Sequence, residues 1–234
     1  MAETDLDFEQ LYLGEHPNVA KVPWDIDGPQ PAVVALEATG AFRGEVLDIG
    51  CGLGENALFL ASRGHRVTGL DAAPTALARA REKAAERGLA VTFAEADATR
   101  LDGYEGRFDS VLDSALYHCL DEAGRHAYLA ALTRAAKPGA RLNLFCFSEE
   151  VPERFPIPNR ISERNLRETV GTGWTITALE PVLYTTAVTP DELGRISEAL
   201  SPGEEADPAA LAAFGTDERG RIQIPMWRLA ADRA

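Results

Sequence analysis

Cysteine is scarce in this chain. The three residues Cys51, Cys119 and Cys146 stand far apart, odd in number and without CxxC spacing, which leaves neither a disulfide framework nor a zinc pattern. Buried free thiols are the expectation. Long apolar runs are missing too: no stretch reaches the roughly 20 residues of a membrane-spanning helix. The acidic N-terminus, with Glu3, Asp5 and Asp7, lacks the basic flank and apolar segment of a secretory signal. No membrane partner is therefore expected, and a cytoplasmic location is. Positive charge is in deficit, with 23 Lys and Arg against 37 Asp and Glu and a formal net charge of -14. The cations are scattered rather than striped, so phosphate backbones are repelled and nucleic acid is not an expected partner. Internal repeats and clusters with metal-ligand spacing are absent, and no metal is expected.

What is present is the composition of a globular protein, 45% hydrophobic and 26% charged over 234 residues, enough for one α/β domain. From residue 31 onward, apolar β-rich runs alternate with amphipathic helical segments, the pattern of βαβ units and a mostly parallel sheet. Pro31 to Thr39 reads as a helix stopped by Gly40. Then follow a strand over 45–49, a glycine-rich turn, a helix over 55–63, a strand over 66–70, an Ala-rich helix from Pro74 to Gly88 and a strand over 90–94. Further on come a strand over 108–112, a helix over 121–136, a turn at Lys137-Pro-Gly139, a strand over 141–145, a helix over 163–170 and a strand from Trp174 to about Tyr184. Thr189-Pro-Asp-Glu192 is a capping box that starts another helix, and Arg221 to Leu229 forms a last strand. The segment between 185 and 219 is longer than a hairpin needs and is expected to cap a substrate pocket.

The informative stretch is Val46-Leu-Asp48-Ile-Gly50-Cys-Gly52-Leu-Gly54-Glu-Asn56, a glycine-rich turn where a strand runs into a helix. Glycines there let the backbone turn tightly and approach a ligand. Phosphate-binding folds use such turns as well, but here Asp48 precedes the first glycine and Glu55 follows the last. Both are hostile to a pyrophosphate, whereas the cationic sulfonium and ammonium of S-adenosylmethionine (SAM) would welcome Asp48 directly or through water. The second strand ends at Asp71, followed by Ala72, where a carboxylate can accept two ribose hydroxyls. After the third strand, Asp97 is placed to take an adenine amino group, with an amide beside Ala98 against the ring. Ligands of open α/β sheets bind at this C-terminal edge.

These motifs resemble the class I SAM-dependent methyltransferases over roughly residues 44 to 147. Asp48-Ile-Gly-Cys-Gly-Leu-Gly54 matches the superfamily's first motif, Gly69-Leu-Asp71 its second, Asp97-Ala98 its third, and Lys137-Pro-Gly139 the turn before strand five. The resemblance implies a Rossmann-like α/β domain over 31–234, with a seven-stranded, mostly parallel sheet, helices on both faces and an antiparallel last strand. It implies SAM as cofactor, S-adenosylhomocysteine as product, and a cofactor site that includes Asn56. Pro23-Trp24-Asp25 is also similar to the matching stretch of thiol and halide, thiopurine and heterocyclic-toxin methyltransferases. By that resemblance residues 1–30 cover the active site, Trp24 faces the sulfonium or adenine, and the acceptor is a thiol or a small heteroaromatic nitrogen or oxygen nucleophile. The sequence departs from the thiol and halide enzymes in its longer tail after Tyr184.

The acceptor belongs beyond the fourth strand, at Asp113-Ser-Ala-Leu-Tyr117-His118-Cys119. His118 is either a general base, with an ordinary pKa close to working pH, or a pocket wall, and Tyr117 stands with it. Asp113 is expected near the SAM methionyl group. Phe147, the Phe155 loop and Trp227 are either apolar walls or ordinary packing. An NAD-dependent oxidoreductase and a non-catalytic SAM-binding regulator are the alternative readings. Oligomeric state is not legible.

Overall fold

The computed structural model of the chain describes residues 7–15, 22–152, 157–193, 195 and 214–234. Residues 201–208, whose sequence Ser-Pro-Gly-Glu-Glu-Ala-Asp-Pro reads as an acidic loop, and the Phe155 loop lie outside them. A short helix that the sequence reading did not anticipate, α1 (Phe8–Leu13), is capped by the Asp7 carboxylate. It is followed by α2 (Pro31–Ala38), β1 (Glu45–Ile49), α3 (Glu55–Ser62), β2 (Arg66–Asp71), α4 (Pro74–Glu86), β3 (Val91–Glu95), β4 (Phe108–Ser114), α5 (Glu122–Ala135), β5 (Ala136–Phe147), α6 (Glu163–Val170), β6 (Trp174–Thr185), β7 (Gly215–Thr216) and β8 (Ile222–Arg233). Proline opens both α2 and α4, where its missing N–H is not needed by the helix ladder.

The strands form one sheet in the order β3-β2-β1-β4-β5-β8-β6. β1 to β5 pair in parallel, and β8 runs antiparallel between β5 and β6. The Rossmann-like expectation holds, with one addition. The two-residue β7 pairs with β8 and brings the count among the described residues to eight. Alternation along the strands builds two cores. Val46, Leu112, Phe145 and Met226 pack under α2, α3 and α4, while Leu47, Val111, Leu144 and Leu229 pack under α5 and α6. Lys137-Pro-Gly139 is not a turn preceding a strand. It bulges within β5, where the β4 pairing jumps between Phe108 and Ser110 and the Lys137 ammonium bonds Asp109 at 2.8 Å.

The strand order reverses between β1 and β4, so their C-terminal ends and those of β2 and β3 open onto a crevice of the kind in which α/β sheets bind ligands. The capping box at Thr189 forms as read, with the Glu192 carboxylate on the Thr189 amide at 2.8 Å and the Thr189 hydroxyl on the Glu192 amide. Among the described residues, no helix is long and apolar enough to cross a membrane.

Candidate active site

The crevice holds a cavity of about 570 Å³, within the range of small-molecule sites. One end is built on the glycine turn. The Gly50 and Cys51 amides both bond the Leu70 carbonyl, which ties the turn to β2. Gly54 has φ +79°, and a Cβ there would lie 2.8 Å from the Phe93 ring and 2.9 Å from Ala80, so only glycine lets α3 leave the sheet this closely. At Gly52 (φ +49°), a Cβ would come 2.6 Å from the Tyr12 hydroxyl.

Asp71 stands beside this turn. Its Oδ2 accepts from the Gly52 amide at 2.7 Å and its Oδ1 from the Ala73 amide at 2.9 Å. Burial pushes its carboxyl up, against the pull of these amides. Each oxygen keeps a second lone pair, the two acceptors that a ribose diol requires. Ala72, Ala96, Ala98 and Asn56 also line this end. Asp97 is exposed and does not line the cavity. Its Oδ1 takes the Thr99 hydroxyl and amide, which hold it below the usual carboxylate range.

Of three carboxylates selected in the sequence, two lie behind the cavity wall and the third is paired. Asp48 is 1% exposed and lies in the sheet behind the turn, not in the cavity wall. Neither of its oxygens has a well-formed hydrogen bond, and only the Ala57 amide gives weak support. Burial first, and Asp71 second, push it up to about 7. Asp113 is also buried and shapes the loop after β4, accepting from the Leu116 and Tyr117 amides and from the Tyr128 hydroxyl. Glu55 does not confront the cofactor turn with a bare charge. Although burial opposes its ionisation, Arg87 and Lys83, each at 2.8 Å, hold it below its ordinary value, so it gives no argument against a pyrophosphate.

The N-terminal elements roof this end. Trp24 lines the cavity with Phe8 and Tyr12, but its indole N–H is spent on the Tyr12 hydroxyl at 2.9 Å. Glu9 accepts from the Thr75 amide and hydroxyl at the start of α4, whose own N-cap, Ala73, has no side chain to offer.

Beyond β4 the chain makes a 3-10 turn over Tyr117–Cys119. The turn sends its side chains in different directions. Tyr117 is 0% exposed, donates to Asn165 at 3.0 Å and belongs to the core rather than the cavity. Leu116, His118 and Cys119 line the cavity. Ala115, which enters the turn, has φ +84°. His118 packs on Phe147 with centroids 3.9 Å apart and the rings tilted by 32°, and its Nδ1 accepts the Phe147 amide hydrogen at 3.2 Å. Burial alone lowers its pKa to about 3, so the expected proximity to working pH does not hold.

The far end is apolar, walled by Phe147, Val188, Leu193, Ile222, Ile224 and Met226. Trp227, an expected wall, faces away because successive strand residues alternate. Its indole N–H bonds the Ile161 carbonyl at 2.9 Å, and its neighbour Met226 takes the place at the cavity. A polar strip runs along one side, in which Gln30 Nε2 donates to the Thr185 carbonyl, Asn56 to Ser114, and Ser114 shares a 2.6 Å bond with Tyr184. Tyr12, Gln30, Tyr184 and the β8 residues were missed in the sequence, which carries only their apolar or polar character and not their direction. Cys146 is buried as expected, whereas Cys51 and Cys119 are only partly buried. Among the described residues there is no group of three or more potential metal ligands.

Residues 46–139 match the family described as "Methyltransferase domain". The chain is 38% identical over 230 residues to a 2-heptyl-1-hydroxyquinolin-4(1H)-one methyltransferase of Mycobacteroides abscessus, across 97% of this chain and 96% of that protein. It is similar, at 35% identity and TM-score 0.78, to a solved structure from work on the conversion of a disulfide bond into a thioacetal group during echinomycin biosynthesis, covering 97% of this chain and 90% of that one. It shares its fold, at TM-score 0.59 and 21% identity over 87% of this chain and 77% of the other, with a Burkholderia thailandensis 1,6-didemethyltoxoflavin-N1-methyltransferase solved with S-adenosylhomocysteine. With a relative of this identity along its whole length, and a glycine turn and Asp71 that fit the adenosyl cofactor, the chain belongs to the class I SAM-dependent methyltransferases.

Proposed function

We propose that the protein transfers the methyl group of SAM to an oxygen or nitrogen of a small, largely apolar heteroaromatic acceptor. The observation that carries this reading is the two-ended cavity, in which Asp71 and the glycine turn hold one end and the β8 wall of Ile222, Ile224 and Met226 the other. The full-length relative that acts on a hydroxyquinolinone bearing a heptyl chain supports it. Bound SAM supplies an electrophilic methyl carbon on a sulfonium. The protein's own part is to bind and align. In our reading Asp71 takes the ribose hydroxyls, Gly50, Gly52 and Gly54 let the cofactor approach the backbone, and Trp24 and Tyr12 cover it from the N-terminal side. Asn56, Ala72 and Ala98 complete that end, with Asp97 at its rim, while Asp48 and Asp113 act from behind the wall as structural and electrostatic support.

The apolar wall excludes water and presents the acceptor in line, which is where much of the acceleration of a displacement on carbon arises. Phe147 and His118 flank the acceptor. Residues 185–193 cap it, and residues 31–234 act as one domain. Transfer to sulfur is the second reading, favoured by the likeness to the echinomycin structure.

The test is a mass-spectrometric assay with purified protein, SAM and a panel comprising 2-heptyl-1-hydroxyquinolin-4(1H)-one, an unsubstituted hydroxyquinolinone, a phenol and an aryl thiol. A 14 Da gain on the alkylated heteroaromatic, with kcat/KM above that of the unsubstituted ring, is the expected result. Turnover of the thiol alone would replace this reading by the second. No turnover of any acceptor, with S-adenosylhomocysteine still bound, would point to a non-catalytic SAM-binding protein.

A further inference from the structure

We infer that His118 is a fixed hydrogen-bond donor that recognises a lone pair on the acceptor, an oxyanion or carbonyl oxygen, and takes no proton during methyl transfer. The inference rests on the proposed acceptor class and adds to it the polarity of the group that faces the ring.

The argument begins with the backbone. An amide N–H can only donate, and the Phe147 amide points at His118 Nδ1 from 3.2 Å. Nδ1 is therefore unprotonated, and the neutral ring carries its hydrogen on Nε2. A flip of the ring would break this bond in a site where the residue is only 3% exposed and the ring lies against Phe147 with centroids 3.9 Å apart. The turn beneath is fixed as well. Asn159 Nδ2 donates to the His118 carbonyl at 2.9 Å, and the Cys119 amide bonds the Leu116 carbonyl at 2.8 Å. Nε2 has no protein partner among the described residues, and the side chain lines the cavity. A donor left this way is free to bond an acceptor atom of a ligand that fills the cavity, and a ligand that displaced solvent there without offering one would leave it unpaired at a cost.

The ring is also unsuited to collecting a proton. Desolvation is the single cause that lowers its pKa to about 3, and no charged side chain contributes, so it stays neutral across the working range. Bond changes then balance without it. The lone pair of an oxygen that enters as the anion forms the O–C bond, the S–C bond breaks, and its electron pair remains on sulfur. One negative and one positive charge cancel, and any acceptor proton has left to solvent beforehand.

Two measurements test this. Spectra of 15N-histidine-labelled protein with S-adenosylhomocysteine bound should show His118 with Nε2 protonated and Nδ1 bare, unchanged from pH 5 to 9. A proton on Nδ1, or titration near neutral pH, would overturn the inference whatever the acceptor proves to be. The second measurement compares His118→Phe with His118→Gln, whose amide nitrogen is the same number of bonds from Cβ as Nε2. With a hydroxylated acceptor, the Phe variant should lose about 10- to 100-fold in kcat/KM, the range of a hydrogen bond to a charged group. The Gln variant should recover most of that loss, and the pH profile should keep its shape in all three proteins. An undiminished Phe variant would reduce His118 to packing, and a neutral-pH limb that disappears with the ring would make it a base. If the spectra show the expected tautomer yet only thiols are methylated, the acceptor class fails and the oxygen-reading role falls with it, while the tautomer stands.

Discussion

Asp48 is a carboxylate held where a carboxylate is uncomfortable, and the cost can be measured. Its surroundings raise it from 3.8 to about 7, burial first and the Asp71 charge second. At 1.36 kcal/mol for each tenfold change, that interval is about 4 kcal/mol, an upper bound because a buried site relaxes. The sign follows from linkage. A group whose folded pKa lies above its unfolded value contributes stability that is complete below the unfolded value and lost as pH rises through the folded one. Asp48 therefore costs nothing near pH 3 and its full amount above about pH 8. Asp48→Asn keeps the shape and removes the charge. It should raise the stability of the ligand-free protein by about 1–3 kcal/mol at pH 8, or about 2–4 °C in Tm per kcal/mol for a domain of this size, with the gain shrinking as pH falls toward 4. Urea unfolding at pH 8, 6 and 4 reads it directly. The same change should weaken binding of SAM more than that of S-adenosylhomocysteine, since the negative potential behind the glycine turn favours the sulfonium cation that only SAM carries. A variant less stable than wild type at pH 8, or a gain independent of pH, would refute the reasoning.

Further outcomes follow from the same geometry. Asp71→Ala should weaken S-adenosylhomocysteine about 10- to 100-fold by calorimetry, the loss expected for charge-assisted bonds to ribose, and unchanged affinity would remove Asp71 from the site. Ala115→Gly should raise stability by about 1 kcal/mol, because φ +84° is strained for alanine and free for glycine; a lower Tm would show that the turn needs the methyl group. Ile224→Phe, which intrudes on the apolar end, should raise the acceptor KM about tenfold and leave S-adenosylhomocysteine affinity unchanged, whereas equal losses would mean that the two ligands share that wall.

The fold and the cofactor end were legible for a common reason: both are written locally. Glycine stops, proline starts and period-two strands lie within a few residues of the structure they specify, and the glycine turn with Asp71 forms one βαβ unit. The acceptor end is not local. Met226 rather than Trp227 meets the cavity because of the register by which β8 pairs with Phe147, a contact across some eighty positions of sequence. Glu55 read as an open acid because its partners, Lys83 and Arg87, lie a helix away. Tyr117 and His118 are adjacent and looked alike in promise, and the 3-10 turn alone separates core from cavity. His118 read as a base because its tautomer depends on an amide 29 residues further along the chain.

The roof over the glycine turn does a second job at its far edge, where Glu9 closes the open end of α4 that Ala73 leaves uncapped. Any displacement of α1 that carried Tyr12 away from the glycine turn would strip the first turn of α4 of that carboxylate, so the cavity's edge and the footing of a framework helix share one hinge pin. A bulky fusion placed ahead of Asp7 would therefore disturb this contact before it was felt in the sheet.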